Sequence, residues 1–390
     1  MTLLDVARAR HDTPGCAEVV HLNNAGAALP PAPVLDAVIG HLRLEARLGG
    51  YEAAAAAAVK VDAVYEAIAR LIGCLPGEIA VVENATRAWD MAFYALRFKP
   101  GDRILTSRAE YASNVIAFLQ VARRTGLRVE VVDDDEHGQL SVRDLERRLD
   151  GDVKLVAVTH VPTQSGLVNP AAEIGRLTRA AGVPFLLDAC QSVGQLPVDV
   201  RELGCDLLSA TGRKFLRGPR GTGFLYVSER LADTLEPPFL DLHAAIWTSH
   251  DAYEIRPGAR RFENWETNYA AKIGLGVAVD YALSWGVEAI EERVTALAAR
   301  LRRRLGELPR VTVQDHGQRL CGIVTFTVDG ESAADVHHRL GAAGINTSVS
   351  AVTSARYDLG GRGLAAVVRA SVHYYNTDEE IDALCANLQY

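Results

Sequence analysis

The sequence lacks several features that would place it in a specialised class of protein. Its six cysteines are scattered through 390 residues with no CxxC pair, which predicts reduced and mostly buried thiols. It has no block of basic residues, and its formal charge of −8 argues against a nucleic-acid binder. No apolar run approaches the ~20 residues of a membrane helix, and the first residues lack the apolar stretch of a signal peptide. We therefore expect a soluble cytoplasmic protein that binds neither nucleic acid nor membrane.

What the sequence does contain is enough apolar residues for a large core. The hydrophobic share is 48%, which in a chain of this length predicts two domains or one large and one small. Continuous apolar runs alternate with helical patterns, which favours strands buried on both faces and hence a mostly parallel α/β sheet. The strand candidates are residues 102–107, 128–133, 153–161, 183–190, 207–211 and 223–227.

Residues 169–182 are an example of the helices that connect these strands. Asn169 is placed to cap the helix, Pro170 suits its first turn, and Gly182 suits its end. After residue 268 the pattern changes to a helix-rich stretch and then to a smaller α+β unit. The expected parts are an N-terminal segment, 1–20, that packs with the small domain, a large ligand-binding domain, 21–268, and a small C-terminal domain, 269–390.

Polar side chains lie at the predicted carboxyl ends of strands, where open α/β sheets bind ligands. Asp188 closes one apolar run, and Lys214 follows another. Residues 83–88, ENATRA, open a helix after a third run, so their backbone N–H groups form an anion site. Pyridoxal phosphate (PLP) requires such a set. A desolvated lysine bonds its aldehyde, a carboxylate holds its ring nitrogen protonated, and the helix start binds its phosphate.

Six ordered blocks carry a resemblance to a known group of enzymes. The sequence resembles the fold-type-I PLP-dependent enzymes of the class V aminotransferase and cysteine desulfurase group. The resemblance implies PLP as cofactor, a large PLP-binding α/β domain, a homodimer and an amino acid as small-molecule substrate. The blocks are LNNAGAALPP (22–31), NATRA (84–88), THVPTQSGLVNP (159–170), LLDACQSVGQLPVD (186–199), SATGRKF (209–215) and VRASVHYYNTDEEID (368–382).

The resemblance assigns residues to the ring of the cofactor. Lys214 matches the lysine that bonds the cofactor, and Asp188 matches the carboxylate that faces the pyridine nitrogen. Gln191 and Thr163 match polar contacts to the phenolic oxygen. Tyr111 occupies the place of the family's ring-stacking histidine. Lys214, Asp188 and Tyr111 are therefore the expected catalytic residues.

The resemblance also implies a phosphate site. Thr86 matches a contact in the helix-start turn, with the backbone of Ala85 and Arg87 beside it. Thr211 and Arg213 stand where the family has serine and histidine before the lysine. Both side chains are expected to hold the phosphate.

Further assignments concern the substrate and a second subunit. Arg369 matches the arginine that binds the α-carboxylate of the substrate. Asn24 and Ala25 match the N-terminal segment that lines the substrate side. Thr267 is expected to reach the phosphate across a dimer interface. We expect no metal ion.

Residues 346–363, where cysteine desulfurases carry a nucleophilic cysteine on a mobile loop, contain no cysteine. We therefore expect that the protein is not a persulfide-forming desulfurase. Without a thiol acceptor, loss of the α-proton to Lys214 and of a sulfur leaving group from Cβ gives pyruvate and ammonia. Residues 41–57 and 213–227 also look similar to hercynylcysteine sulfoxide lyases. The first hypothesis is a carbon–sulfur β-lyase that acts on a cysteine S-conjugate or sulfoxide.

Three alternatives stay open at this point. An amino-acid epimerase, resembling isopenicillin N epimerase, would deprotonate Cα with Lys214 and reprotonate it from the opposite face, with Tyr111 as the donor. A class V aminotransferase would use Lys214 to carry the proton from Cα to the cofactor. A degenerate member would serve as a binding or scaffold protein, but the presence of Lys214, Asp188 and Arg369 together argues against it.

Overall fold

The structure, a computed structural model, describes residues 4–389. Its helices are α1 (Val6–His11), α2 (Asn24–Ala27), α3 (Ala32–Leu48), α4 (Gly50–Ala56), α5 (Ala58–Ile72), α6 (Ala85–Ala95), α7 (Ala112–Thr125), α8 (Val142–Arg148), α9 (Ala171–Ala181), α10 (Val200–Leu203), α11 (Glu229–Ala232), α12 (Tyr269–Trp285), α13 (Val287–Gly306), α14 (Ala333–Ala342) and α15 (Asp378–Ala386). Its strands are β1 (Val20–His21), β2 (Ile79–Val82), β3 (Arg103–Thr106), β4 (Arg128–Val131), β5 (Val153–Thr159), β6 (Phe185–Asp188), β7 (Leu207–Thr211), β8 (Gly223–Val227), β9 (Ala245–Ser249), β10 (Ala252–Ile255), β11 (Val311–Val313), β12 (Ile323–Val328), β13 (Ile345–Asn346), β14 (Ser348–Ala351) and β15 (Ala366–Ser371).

Seven strands form the central sheet, in the order β2–β8–β7–β6–β5–β3–β4. Strands β7, β6, β5, β3 and β4 run parallel, and β8 runs antiparallel to both of its neighbours. The six predicted runs correspond to β3 through β8. The expected α/β fold with a mostly parallel sheet is therefore confirmed.

The central sheet is buried on both faces, which is why its strands read as continuous apolar runs. All residues of β6, β7 and β8 are buried, and in β5 the exposed residue is Lys154. On one face, Trp89 and Phe93 of α6 pack with Phe118 of α7 and with each other, with ring centroids 4.7 to 5.4 Å apart. This aromatic cluster holds α6, whose N-terminus faces the pocket described below, against the strands.

The C-terminal part builds a second, antiparallel sheet in the order β11–β12–β15–β14. The N-terminal segment contacts the C-terminal part, since the Arg10 guanidinium donates to the Glu380 carboxylate at 2.7 Å and to the Tyr375 carbonyl at 3.0 Å. Helix α12, which follows residue 268, packs against α3 and α5. The division of the chain at residue 268 stays a prediction.

Helix α9 starts differently from the expectation. It begins at Ala171, with Pro170 rather than Asn169 at its N-cap. The Asn169 amide is used elsewhere: its oxygen accepts from the Leu140 N–H at 3.2 Å, and its nitrogen donates to the Thr159 carbonyl at 2.8 Å. Asn169 therefore fixes the turn after β5 instead of capping the helix.

Helices α12 and α13 meet at a sharp bend of 78°. Gly286, with φ of 81°, lies between them in a conformation that favours glycine. Within residues 4–389, no single helix is long and apolar enough to cross a membrane, although this bent pair passes the same criterion jointly on length and composition.

Candidate active site

A pocket of about 450 Å³ opens at the carboxyl ends of β5, β6 and β7. Thr159, Asp188 and Thr211 end these three strands, so parallel pairing brings their side chains to one edge of the sheet. Nine of the residues predicted from the sequence line the pocket. They are Ala85, Thr86, Tyr111, Thr163, Asp188, Gln191, Thr211, Arg213 and Lys214.

Lys214 lies in the turn after β7, and its side chain forms part of the pocket wall. Burial lowers the pKa of its amine, and the neighbouring Cys190 and Asp188 partly oppose that effect. A lowered pKa favours the neutral amine, which is the form that attacks an aldehyde. The sequence argument that Lys214 is desolvated therefore agrees with its surroundings.

The turn that carries Lys214 is fixed by Arg217, a residue that the sequence analysis left without a role. Arg217 is 1% exposed and has φ of 61°, a left-handed conformation that is uncommon outside glycine. Its guanidinium donates to the Leu29 carbonyl at 2.9 Å, to the Tyr374 hydroxyl at 2.6 Å and to the Thr13 hydroxyl. Arg217 thus ties this turn to both ends of the chain.

Asp188 is buried at the base of the pocket, and both of its carboxylate oxygens accept hydrogen bonds. One oxygen accepts from the Cys190 N–H at 3.0 Å, and the other accepts from the Asn114 amide at 3.1 Å. Asn114 and Cys190 also line the pocket, and neither was predicted as a site residue. Asn114 lies three residues after Tyr111. A polar side chain one helical turn beyond a predicted ring contact is the sequence feature that could have indicated it.

Gln191 is buried in the pocket wall. Its amide nitrogen donates to the Ala25 carbonyl at 3.1 Å, and its amide oxygen has no partner within residues 4–389. A buried amide oxygen without a partner is costly unless a ligand supplies a donor. The side chain therefore leaves one polar position free for a bound group.

The N-terminus of α6 also lines the pocket. Asn84 caps the helix by accepting from the Arg87 N–H at 2.8 Å, so the free N–H groups of the first turn remain available to an anion. A Cβ on Gly223 of β8 would lie 2.7 Å from the Asn84 carbonyl carbon, so glycine allows this close approach. The Arg87 side chain does not line the pocket, since it stacks on Phe239 with 4.7 Å to the ring centroid.

Two further predicted phosphate contacts sit beside Lys214. The Thr211 hydroxyl donates to the Thr222 carbonyl at 3.3 Å, and the Arg213 guanidinium donates to the Gly26 carbonyl. Both residues line the pocket. Thr267 does not line it, and lies in the segment just before α12.

Arg369 lies in β15 behind the pocket wall and is 6% exposed. Its guanidinium donates to the Thr163 hydroxyl and, at 3.2 Å, to the Asn23 side-chain oxygen. Its Nε has no partner in the described part of the chain. Burial lowers the pKa of Arg369 to about 10, with a smaller contribution from Arg213, so the group stays charged at neutral pH. A buried arginine held by neutral groups suits a carboxylate ligand.

Asn24 differs from the expectation that it lines the substrate side. Its amide nitrogen donates to the carbonyls of Ser371 and His21 at 2.7 and 3.2 Å, and its oxygen accepts from the Tyr375 hydroxyl. These partners hold Asn24 in the core, and the neighbouring Asn23 is the residue beside Arg369. Its predicted role therefore has no support from its contacts.

The segment 346–363 folds against the pocket wall. The Ser350 hydroxyl donates to the Thr163 carbonyl at 3.2 Å, and the Gln164 amide donates to the Asp358 carboxylate at 3.0 Å. Both contacts join this segment to the turn after β5. In the strand pairing of β14 with β15, Ser348 of this segment lies opposite Arg369.

The family profile described as "Aminotransferase class-V" matches residues 20–384. The chain belongs to the class V aminotransferase family. A probable cysteine desulfurase from Methanothermobacter thermautotrophicus is 31% identical over 400 residues, which cover 100% of this chain and 98% of that protein.

Solved structures of this fold agree closely with the chain. The cysteine desulfurase from Thermococcus onnurineus NA1 is 30% identical with a TM-score of 0.91, covering 100% of this chain and 98% of that one. A variant of the protein C-DES, with glycine covalently linked to its PLP cofactor, is 24% identical with a TM-score of 0.87, covering 97% and 98%. At that identity the second likeness shows the fold alone. The fold is that of the PLP-dependent type I enzymes, and PLP is the cofactor of this family member.

These relatives overturn the functional hypothesis drawn from the sequence. Proteins 30% to 31% identical along the whole chain are named cysteine desulfurases, so the prediction of a β-lyase for cysteine S-conjugates or sulfoxides is wrong. The exclusion of a desulfurase was also wrong. A thiol in residues 346–363 would serve as the acceptor of the sulfur atom. Its absence does not alter the groups around Lys214 that act on Cα. The likeness to hercynylcysteine sulfoxide lyases and to isopenicillin N epimerase stays an expectation.

The pocket fits PLP by the chemistry of its residues. It joins a lysine of lowered pKa, a buried carboxylate, a glutamine oxygen that has no partner among the described residues, and a capped helix N-terminus. These four features match the aldehyde, the ring nitrogen, the phenolic oxygen and the phosphate in turn.

Proposed function

We propose that this protein is a PLP-dependent desulfurase of L-cysteine, which leaves alanine and transfers the sulfur to a thiol. The observation that carries the proposal is the identity of 31% with a probable cysteine desulfurase over the full length of both chains. The pocket supports it, because Lys214 and the buried Asp188 line one cavity of about 450 Å³, and the buried Arg369 contacts Thr163 in the wall of that cavity.

Substrate binding is assigned to the arginine side of the pocket. Arg369 binds the α-carboxylate, since it is charged, buried and without an acidic partner in the described residues. Its Nη1 is held by Thr163, so the guanidinium is oriented before the substrate arrives. Lys214 then lies where its amine takes the proton from Cα and returns it later.

The cofactor is assigned to the rest of the pocket. When bound, PLP supplies the electron sink that makes the Cα proton and the Cβ–S bond labile. With PLP bound, Asp188 would keep the ring nitrogen protonated, Gln191 would contact the phenolic oxygen, and Tyr111 would stack on the ring. The phosphate is bound by the backbone of residues 85–87 and by the side chains of Thr86, Thr211 and Arg213.

The sulfur acceptor in this proposal is a thiol from outside the chain. Burial raises the pKa of all six cysteine thiols, which leaves each of them a weak nucleophile. The reaction balances as cysteine plus a thiol giving alanine plus a persulfide. The Cβ–S bond breaks, a sulfur–sulfur bond forms on the acceptor, and the acceptor's proton replaces sulfur on the carbon.

A homodimer is part of the proposal. Large apolar side chains are exposed on one stretch of the chain that begins where Arg87 stacks on Phe239. Exposed large apolar side chains that follow one another in this way are typical of a segment that a protein partner covers. A second copy that covers it would bring Thr267, two residues beyond Trp265, towards the phosphate of the neighbouring site. The exposed residues are Phe239, Leu242, Ile246, Trp247, Tyr253 and Trp265.

The test is to incubate the PLP-loaded enzyme with L-cysteine and a low-mass thiol. Alanine and the persulfide of that thiol are then quantified by mass spectrometry after alkylation. We expect the two products in equal amounts, and neither product from the Lys214→Ala variant. Formation of pyruvate in place of alanine, or alanine without any persulfide on the added thiol, would contradict the proposal.

A further inference from the structure

A buried group of hydrogen bonds lies directly behind Asp188. Its centre is Glu110, which is 2% exposed. The Glu110 carboxylate accepts from the Thr106 hydroxyl at 3.1 Å, from the Tyr111 N–H at 2.8 Å, and from both the N–H (3.0 Å) and the hydroxyl of Thr159. These donors belong to β3, to the start of α7 and to β5. Glu110 therefore fastens together three elements that meet beneath the pocket.

Asn114 connects this group to the pocket. It is buried in the first turn of α7, and its amide nitrogen donates to Glu110 at 2.8 Å and to Asp188 at 3.1 Å. A primary amide has two N–H groups, so both are engaged by these two carboxyl groups. The second oxygen of Asp188 accepts from the Cys190 N–H at 3.0 Å. The orientation of the Asp188 carboxylate is thus set at both oxygens.

The arrangement carries a cost in folding free energy. Two carboxyl groups buried on either side of one amide repel each other and lose hydration. Burial raises the pKa of Glu110 to about 7, hydrogen bonds from Thr159, Tyr111 and Asn114 oppose the rise, and the charge of Asp188 adds to it. Costly arrangements of this kind are found where a functional group must be held in one geometry.

We propose that Asn114 is a positioning residue for PLP, held in place by Glu110, and that its amide fixes the Asp188 carboxylate opposite the pyridine nitrogen. This inference rests on the assignment of Asp188 in the proposed function, but it does not depend on which amino acid reacts. Because Asn114 acts through Asp188, its loss weakens the contact with the ring nitrogen and leaves the phosphate contacts intact.

The experiment compares two ligands on the apoenzyme. One is PLP, and the other is its analogue in which carbon replaces the ring nitrogen. For Asn114→Ala we expect the Kd of PLP to rise about tenfold or more, as for a lost hydrogen bond to a charged group. The Kd of the analogue should stay as in the unaltered protein. Gln120→Ala is the matched control, since that amide lies on the same helix and accepts from the Tyr94 hydroxyl.

An equal loss of affinity for both ligands would overturn the inference, because Asn114 would then merely support the fold. Unchanged affinity for PLP would overturn it as well. If Asn114→Ala does not fold, Asn114→Asp keeps the shape and replaces a donor by an acceptor beside Asp188, so the same selective loss is expected. Failure of the proposed function gives a different result: if Asp188→Ala binds both ligands like the unaltered protein, the assignment of Asp188 itself falls.

Discussion

The base and the rim of the pocket are built in different ways. At the base, Asp188, Asn114 and Glu110 are 2% to 7% exposed and are joined by hydrogen bonds within one chain. At the rim, Tyr111 is 38% exposed and Phe239 is 59% exposed, and the apolar stretch continues to Trp265. The base is complete in a single copy, whereas the rim presents surface that a second copy would cover.

This difference separates the groups that orient the cofactor, which lie within one copy of the chain, from the groups that a second copy would contribute. The base orients the cofactor ring and does not depend on an interface, so changes there should act within each protomer. In the proposed dimer a second copy would cover the rim, so changes there should act through association. The following variants test that separation, from the largest expected effect to the smallest.

Lys214→Ala should have the largest effect, because it removes the group that bonds the cofactor and moves the Cα proton. We expect the visible absorbance of the lysine-bound cofactor to disappear and turnover of cysteine to fall at least about 10²- to 10⁴-fold. Absorbance spectra and a steady-state assay on the same preparation measure both. A variant that keeps full turnover would show that another amine bonds the cofactor and moves the Cα proton.

Arg369→Ala should come next, since Arg369 is the buried cation that the proposal assigns to the substrate carboxylate. Loss of a charged hydrogen bond to the substrate carboxylate lowers kcat/KM about 10- to 100-fold, mainly through KM. The absorbance of the bound cofactor should be unchanged, because Arg369 does not line the cofactor part of the pocket. Arg369→Lys is the comparison that keeps the charge. A normal KM for cysteine in Arg369→Ala would place the carboxylate site elsewhere.

Trp247→Arg tests the rim. This side chain is 72% exposed in β9, and a charge there should disrupt a dimer by 2 kcal/mol or more, as at a central aromatic contact, which is roughly a 30-fold weaker association. Sedimentation at several protein concentrations measures it. Ala180→Arg is the control, since Ala180 is exposed on α9 at a distance in sequence from this surface. If the unaltered protein is a monomer with full activity, Thr267 cannot bind the phosphate in the site of a second copy.

Cys190→Ala should have the smallest effect, although Cys190 lies at the base. Its thiol lies near Asp188 and is a weak hydrogen-bond donor, while the Cys190 N–H that donates to Asp188 remains in the variant. A loss of about 1 kcal/mol corresponds to less than about a tenfold change in turnover. Alanine production with an added thiol is the measurement. Complete loss of alanine would identify Cys190 as the sulfur acceptor and would remove the need for a thiol from outside.

The main features of the base could be predicted from the sequence because they follow strand order. Asp188 and Thr211 end neighbouring parallel strands, so their positions at one edge followed once the strands were placed. Glu110 and Asn114 could not be assigned in this way. Their roles depend on contacts between β3, β5, β6 and α7, which are distant in the chain, so the spacing of Asn114 from Tyr111 does not reveal its partners.

Register and side-chain competition explain the differences in detail. Asn23 pairs with Ser371 in an isolated parallel bridge, and this register puts Asn23 rather than Asn24 beside Arg369. Asn169 had a good capping position, but two backbone partners compete for its amide. The functional hypothesis is wrong for another reason: the absence of a cysteine from residues 346–363 does not outweigh a 31% identity to a probable cysteine desulfurase over the whole chain.

The measurement that tests the central claim most directly follows the carbon of L-cysteine labelled at Cβ with a stable isotope. The PLP-loaded enzyme is mixed with this substrate and a low-mass thiol, and the label is followed by NMR. The account predicts that the label appears in the methyl group of alanine. Its appearance in the methyl group of pyruvate would contradict desulfuration, because sulfur would then leave as sulfide and Cα would lose its amino group as ammonia.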